Sequence, residues 1–254
     1  MATTAIKVEK LTKRQTLISI LLIGMMFFIF GFVSWVNSIL IPYFKIACEL
    51  TSFQAYLVAF AFYIAYFIMS VPASYLLKAV GFKKGMMYGF WAMALGAAIF
   101  VPAALSRTYE IFLLGLFTIG IGLSILQTAS NPYITILGAK NRAAQRISIM
   151  GICNKAAGIL SPIVFAAVIL RPTDTALFSQ LSSMTEETRA AALDELVRRV
   201  INPYITMSVF LLVLGYLVYR SPLPEIDTEH ENEELAVANA GKTSIFQFPH
   251  LIFG

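Results

Sequence analysis

The side chains that could do chemistry in this sequence are mostly uncharged amides and hydroxyls set inside long apolar runs. In the run at 109–137, five of them share one helical face at the spacing i, i+3, i+4, i+7 and i+11: Ser124, Gln127, Thr128, Asn131 and Thr135. Polar groups are costly inside a bilayer and are therefore functional candidates there. Pro132 lacks a backbone donor, so we expect a local break that turns oxygens toward a cavity. The alternative is a helix–helix contact held by small polar residues.

Two further runs carry polar faces. In the first run, Asn37 and Ser38 share a face with Ser34, Trp35 lies beside them, and Pro42 should end or kink the segment. In the fifth run, small and polar residues share a face that suggests close helix packing: Ser148, Gly151, Asn154, Lys155, Gly158 and Ser161.

Lys155 is the only charge placed well inside a predicted span. One interpretation is that its side chain extends to the cytoplasmic interface. The other is a cation that faces a central cavity, where it donates to substrate hydroxyls or pairs with an acid elsewhere. On the second run, Tyr56, Tyr63 and Tyr66 recur on one side with Ser70, and these aromatic rings either stack on a sugar or pack against lipid and helices.

Composition excludes several classes of function. The 254 residues are 58% hydrophobic and 13% charged, whereas soluble domains average about 25% charged. The net charge of +5 comes from residues at the ends of apolar runs, which argues against nucleic acid as a partner. Cys48 and Cys153 are far apart and are expected as free thiols. The sequence contains no metal-ligand or nucleophile–base pattern, so we expect neither an enzyme nor a bound metal or cofactor.

The apolar runs predict an all-α integral membrane protein. Six of them are long enough to span a bilayer: 16–44, 54–77, 85–105, 109–137, 147–170 and 201–219. A capping-box pattern at Ser183 predicts a short amphipathic surface helix over 186–200.

Charge at the run ends predicts topology and domain organisation. Basic residues concentrate at the N-terminus and in alternate loops, which places the 1–15 tail in the cytoplasm. The bundle then covers 16–220, and the polar, acidic stretch 221–244 reads as a cytoplasmic linker. A seventh apolar segment begins at 245 and is cut at 254, so we expect a second six-helix half beyond it, with two inverted three-helix repeats in each half.

Several motifs resemble known transporters. The loop 74–84 resembles the signature of the major facilitator superfamily: Gly81 and Lys83 match it, while Ser74 replaces a glycine and Lys78 an acid. Four further segments, together with Asn154, resemble the fucose:proton symporter family and its glucose/galactose branch: NSILIP at 37–42, ELTSFQA at 49–55, QTASNPY at 127–133 and QRIS at 145–148.

The resemblance implies the N-terminal six-helix bundle of a twelve-helix symporter of the inner membrane, which imports a hexose such as glucose or galactose with a cation by alternating access. The resemblance implies Ser38, Gln127, Asn131 and Asn154 as substrate-binding positions. The polar faces described above add Asn37, and Lys155 as a charge in the cavity, to the predicted substrate-binding residues. The fucose symporter has acids where this chain has Ser38 and Gln127. Because neither titrates, sodium coupling is favoured, with proton-coupled fucose or amino-sugar transport as the alternative. A membrane sugar sensor or subunit that does not transport is an alternative of another class.

Overall fold

The computed structural model describes residues 12–137 and 142–223 as helices joined by short connections. The 1–11 tail, most of the acidic linker and the apolar segment at 245–254 lie outside the described residues. The helices are α1 (Lys13–Ala47), α2 (Ser52–Val80), α3 (Phe82–Ser106), α4 (Tyr109–Ile136), α5 (Ala143–Ile169), α6 (Asp174–Gln180), α7 (Glu186–Arg199) and α8 (Ile201–Arg220). Each predicted span agrees with one of these helices to within about four residues.

Six of the described segments are long and apolar enough to cross a membrane, and the sixth of them runs continuously from α7 into α8. Local signals set their ends. Thr12 with Gln15, and Thr51 with Gln54, form reciprocal capping boxes at the starts of α1 and α2. Gly81 separates α2 from α3 with a φ of 83°, a conformation that glycine adopts without strain. This requirement explains the glycine in the signature-like loop.

The expected break at Pro132 was wrong, and α1 does not end at Pro42. The helix α1 continues through Pro42 to Ala47, and α4 continues through Pro132 to Ile136 without a break in its helical assignment. Prolines also lie inside α2, α3 and α5. Spanning helices tolerate proline because neighbouring groups satisfy the freed backbone carbonyls.

The helix pairing follows the inverted repeats expected from the sequence. One repeat is formed by α1–α3 and the other by α4, α5 and α8, so that α1 corresponds to α4, α2 to α5 and α3 to α8. The pair α1–α5 then corresponds to the pair α4–α2, and both pairs are packed. Glycines bring α3 and α4 into close contact: a Cβ on Gly122 would meet the carbonyl oxygen of Gly89 at 2.4 Å, and one on Gly96 would meet that of Gly115 at 2.8 Å. The helix α8 packs on the other side of α3.

The short helix α7 joins several connections at one end of the bundle, which we call the α7 end. Asp194 forms an ion pair with Arg107 of the α3–α4 connection at 3.2 Å, and Arg189 pairs with Glu49 of the α1–α2 connection. Tyr43 near the end of α1 donates to the carbonyl of Leu196. The connections after odd-numbered spans therefore meet at one end, as alternating spans require.

The predicted capping box at Ser183 is wrong. The N-cap of α7 is Thr185, two residues later, because Leu181–Ser183 form a 3-10 turn that still belongs to the preceding segment. The hydroxyl of Thr185 lies 2.8 Å from that of Thr188 and makes no bond to a cap backbone N–H. The amphipathic helix itself is confirmed, with Leu193, Leu196 and Val197 buried on one side.

Candidate functional site

Three helices meet at a polar contact in the middle of the bundle. The amide of Gln127 on α4 donates to the hydroxyl of Tyr66 on α2 across 3.5 Å, and the side chain of Ser34 on α1 is hydrogen-bonded with the same hydroxyl. Gln127 and Tyr66 are half-buried, so part of each remains accessible. Sequence spacing places Gln127 and Ser34 on polar faces of their own helices, but it does not show that Tyr66 joins them.

Most of the hydroxyls on the α4 polar face are already used within the helix. Thr128 donates to the carbonyl of Ser124, and Thr135 donates to that of Pro132, at 2.8 and 2.7 Å. Ser124 is itself buried. Such hydroxyls bond their own backbone and do not have a donor left for a ligand. The amides of the half-buried Gln127 and the exposed Asn131 are therefore the groups of this face with capacity to bind something else.

On α5, the predicted polar face divides into packing residues and one exposed cation. The Asn154 amide donates to the Phe27 carbonyl of α1 at 3.1 Å, and Ser161 donates to that of Phe32 at the same distance. A Cβ on Gly158 would lie 2.6 Å from Nε1 of Trp35. The prediction of close packing was wrong for Gly151, where an added Cβ would have no neighbour within 4 Å.

Lys155 is exposed and lies against Trp35, with its Nζ 5.9 Å from the centre of the indole ring. That distance falls within the range of a cation–π contact, which is attractive because the ring face is electron-rich. Trp35 keeps 43% of its surface exposed, so the pair presents both an aromatic ring and a positive charge at the surface of the bundle.

These contacts join into a line across four helices, which we call the polar row: Gln127, Tyr66, Ser34, Trp35 and Lys155. The row runs from α4 and α2 through the adjacent residues 34 and 35 of α1 to α5. Asn37 and Ser38 continue α1 one turn further, and their side chains lie outside the described part of the structure. The structure therefore relates Gln127 to Lys155 through α1, and it leaves Asn131 exposed beside the row on α4.

The pentapeptide Asn-Pro-Tyr-Ile-Thr occurs twice, at 131–135 and 202–206, and both copies place their tyrosine against α3. Tyr133 and Tyr204 are fully buried, and each contacts a phenylalanine of α3: Phe82 for the first and Phe100 for the second. The preceding asparagines, Asn131 and Asn202, are both exposed. The motif therefore anchors α4 and α8 to α3 while it turns an amide outward.

At the end of the bundle opposite α7, buried and half-buried cations bind backbone carbonyls. Arg146 donates to the carbonyls of Ile134 and Thr135 at 2.7 and 2.9 Å, in the last turn of α4, where helical carbonyls have no partner. Lys83 donates to the carbonyl of Ser221 at 2.7 Å. The sequence pattern indicates only that these basic residues lie at one end of the bundle. It does not show that they bind the free carbonyls of helix ends. Among the described residues, no group of His, Cys, Asp and Glu side chains is arranged to hold a metal.

The chain is similar to sugar transporters over most of its length. It is 35% identical to a glucose/galactose transporter of Brucella abortus biovar 1 (strain 9-941), over 91% of this chain and 51% of the relative. It is 33% identical to the L-fucose-proton symporter of Escherichia coli K12, over 87% of this chain and 50% of the relative. The chain thus spans about half the length of the curated relatives that it matches.

Solved structures agree with these relatives. A major facilitator transporter, FucP, crystallised in the outward conformation, superposes with a TM-score of 0.73 at 31% identity, over 90% of this chain and 57% of that one. A crystal structure of the Escherichia coli fucose:proton symporter gives 0.70 at 33% identity, over 83% of this chain and 50% of that one. A family model described as Major Facilitator Superfamily matches residues 23–250. With its six apolar spans, the chain is a multi-pass membrane protein that belongs to the Major Facilitator Superfamily.

Proposed function

We propose that this chain forms one half of a symporter that imports a hexose, such as glucose or galactose, together with a cation. The observation that carries the proposal is the polar row. It places a neutral amide, two hydroxyls, an indole ring and an ammonium along one line across α4, α2, α1 and α5. Sugars are recognised by such a combination, because hydroxyl edges need donors and acceptors while the apolar ring face packs on an aromatic. The names of the relatives support the choice of substrate class.

The proposed substrate-binding residues are those whose polar groups are accessible, together with their neighbours on the same helices. Gln127 and Asn131 supply amides from α4, and Lys155 supplies a positive charge that Trp35 orients. Asn154 holds α5 against α1 through its amide nitrogen and would offer its carbonyl oxygen. Asn37 and Ser38 extend the α1 side of the same site.

Transport by such a half requires a second wall. In superfamily transporters the site lies near the bilayer midplane between two bundles, and access alternates as the bundles rock. We propose that a C-terminal six-helix half supplies the facing wall, including an acid that pairs with Lys155. We further propose residence in the bacterial inner membrane with the N-terminus in the cytoplasm, on the basis of the lysine and arginine distribution.

Sodium is the proposed coupling ion. Within the described helices α1–α5 and α8, Glu110 at the start of α4 is the only carboxylate. A proton carrier needs a group that titrates, whereas a sodium site needs oxygen ligands such as amides and hydroxyls. Proton-coupled fucose transport is the second candidate, because the L-fucose-proton symporter of Escherichia coli is 33% identical to this chain.

Uptake in proteoliposomes tests this function. A transporter that contains this chain with a C-terminal half should exchange labelled glucose or galactose by counterflow, and net uptake should follow an imposed sodium gradient. If a proton uncoupler abolishes uptake and a sodium gradient has no effect on it, the coupling ion is a proton and not sodium. Saturable sugar binding without counterflow would favour the rival reading, a membrane sugar sensor.

A further inference from the structure

The two inverted repeats differ most at one interface. The packed pair α3–α4 has α8–α1 as its counterpart, yet α1 and α8 make no extended contact. Glycines seal the first interface: a Cβ on Gly122 or Gly96 would collide with the backbone of the other helix. On the α1–α8 side a cleft of about 680 Å³ remains open between α1, α5 and α8.

The lining of this cleft is almost entirely apolar. Fourteen of its sixteen lining residues are hydrophobic or proline: Met25, Phe28, Ile29, Phe32, Val33, Val36, Val164, Phe165, Val168, Pro203, Tyr204, Met207, Phe210 and Leu211. The two others are Asn202 and Thr206. Thr206 donates its hydroxyl to the Asn202 carbonyl at 2.9 Å, which leaves that side chain without a donor for a ligand. A sugar would meet mostly hydrocarbon inside the cleft, whereas an acyl chain would need no polar partner there.

The cleft has the length and depth of one leaflet. On α1 it extends from Met25 to Val36, which is about 17 Å of helix axis. The hydrocarbon core of a bilayer is about 30 Å thick, so one acyl chain occupies about half of it. The cleft is lined by the middle of α1 and by the last part of α5 and the first half of α8, which both lie toward the α7 end.

An exposed arginine precedes the α8 wall of the cleft in the chain. Arg198 lies near the C-terminal end of α7, four residues before Asn202 of α8. Two other arginines at this end already form ion pairs. Arg199 pairs with Asp174 at 2.8 Å and with Glu195 at 3.0 Å, and Arg171 pairs with Glu195 at 2.8 Å. Within the described residues Arg198 has no acidic partner within 4.0 Å.

We propose that this cleft binds one phospholipid, with an acyl chain between α1 and α8 and the phosphate at Arg198 and the Asn202 amide. The chain replaces the missing helix contact and so completes the packing of the second repeat. The phosphate supplies the negative charge that Arg198 lacks, at the depth where head groups lie. This inference is independent of the sugar proposal, because the cleft and the polar row share no residue.

The test is a titration of the purified 254-residue chain with dioleoyl phosphatidylglycerol, followed by native mass spectrometry in a mild detergent. One lipid should remain bound at concentrations where annular lipids are lost. Dioleoylglycerol, which has the same chains and no phosphate, should bind roughly five-fold more weakly, the contribution of about one basic residue near anionic head groups. Inorganic phosphate alone should not bind.

Variants locate the site. Thr206→Trp and Val168→Trp fill the cleft from α8 and α5, both at exposed positions, and each should abolish retention of the lipid. Val213→Trp, on an exposed position of α8 outside the cleft, should retain it. Arg198→Gln should lower the affinity for phosphatidylglycerol to that for dioleoylglycerol, while Lys84→Gln on an exposed residue at the other end should change neither.

Three results would overturn the proposal. Retention of the lipid by both filled variants would show that it binds elsewhere, and equal loss in Val213→Trp would show a general lipid annulus. A photoactivatable amino acid at Thr206 in intact membranes should crosslink to phospholipid. A crosslink to a segment of this chain, to a second copy or to another protein would identify a different occupant.

Discussion

At the scale of single residues, the site is built mainly from uncharged amide, hydroxyl and indole groups. Gln127 and Ser34 both reach the hydroxyl of Tyr66, so three helices share one hydrogen-bonding centre. A neutral centre can exchange its bonds for those of a sugar hydroxyl at small net cost, because each bond contributes only about 0.5–1.5 kcal/mol. Lys155 is the exception, and Trp35 fixes its position.

Loss of the shared centre should weaken sugar affinity without abolishing transport. Gln127→Ala should raise the Kd about two- to twelve-fold, the equivalent of one neutral hydrogen bond. Tyr66→Phe should have a similar effect, and the double variant should be less than additive because the two residues share a bond. Sugar binding by isothermal calorimetry measures this. Thr118→Ala, at a half-buried α4 residue bonded to its own backbone, is the control.

A second residue-scale prediction concerns Cys48 at the α7 end. Burial raises the pKa of its thiol to about 11, and the Arg107 guanidinium only partly opposes this. The thiolate is the reactive form, so maleimide labelling in a Cys153→Ala background should be slow at pH 7 and should rise about ten-fold per pH unit up to that pKa. A cysteine introduced at the exposed Glu187 provides the reference rate. Equal rates at pH 7 would contradict the burial of Cys48.

At the scale of helices, sequence patterns predicted the number, order and approximate bounds of the spans, because about 20 apolar residues in a row have few alternatives. They failed at Pro132, where α4 continues without a break, because spanning helices tolerate a proline when neighbouring groups satisfy the freed carbonyl. They also did not distinguish Gly158, which is in close contact with another helix, from Gly151, which is not. The reason is that the residues of the facing helix decide whether a position must be glycine. For the same reason, spacing on one helix showed the polar faces but not the role of Tyr66.

The glycine contacts allow a matched test of helix packing. Gly122→Ala should destabilise the protein by about 1–3 kcal/mol, because the added Cβ would meet the Gly89 carbonyl at 2.4 Å and the Met93 nitrogen at 2.7 Å. Gly151→Ala meets nothing within 4 Å and should be neutral or stabilise by about 0.4–1 kcal/mol. Thermal unfolding in detergent compares the two. Equal effects would show that α3 and α4 are not in close contact.

At the scale of the whole molecule, the connections at the α7 end lie on one side of the bundle, and Arg146 and Lys83 lie on the other. This separation fits the proposed topology, in which the α7 end faces away from the cytoplasm. The polar row crosses the four helices α2, α4, α1 and α5, which a second bundle would cover.

Cysteine labelling from outside intact cells tests the topology. An impermeant maleimide should react with a cysteine at Glu187 on α7 and should miss cysteines placed at Lys84 and Arg142, all of which are exposed. Permeabilised cells provide the control, since all three positions should then react. Reaction of the cysteine at position 84 from outside would show that the orientation is the opposite of the proposed one.

The chain alone should not transport sugar. It supplies one wall of the proposed site, and without a second bundle Lys155 would face lipid, where a charge is costly. Vesicles that hold only the 254 residues should show no saturable, cation-driven uptake, whereas vesicles with both halves should. Uptake by the chain alone would indicate a functional homodimer.

The position of α7 also has a consequence for the order of assembly. Its partners are Glu49 and Arg107, which leave the ribosome well before it, and Asp194 and Arg189 on α7 can pair with them only after α5 has crossed the membrane. The contacts of α7 should therefore form later than those among α1–α5 during biosynthesis. Nascent chains arrested before residue 186 should leave the segments around Glu49 and Arg107 open to protease from outside, and chains released beyond α8 should protect them.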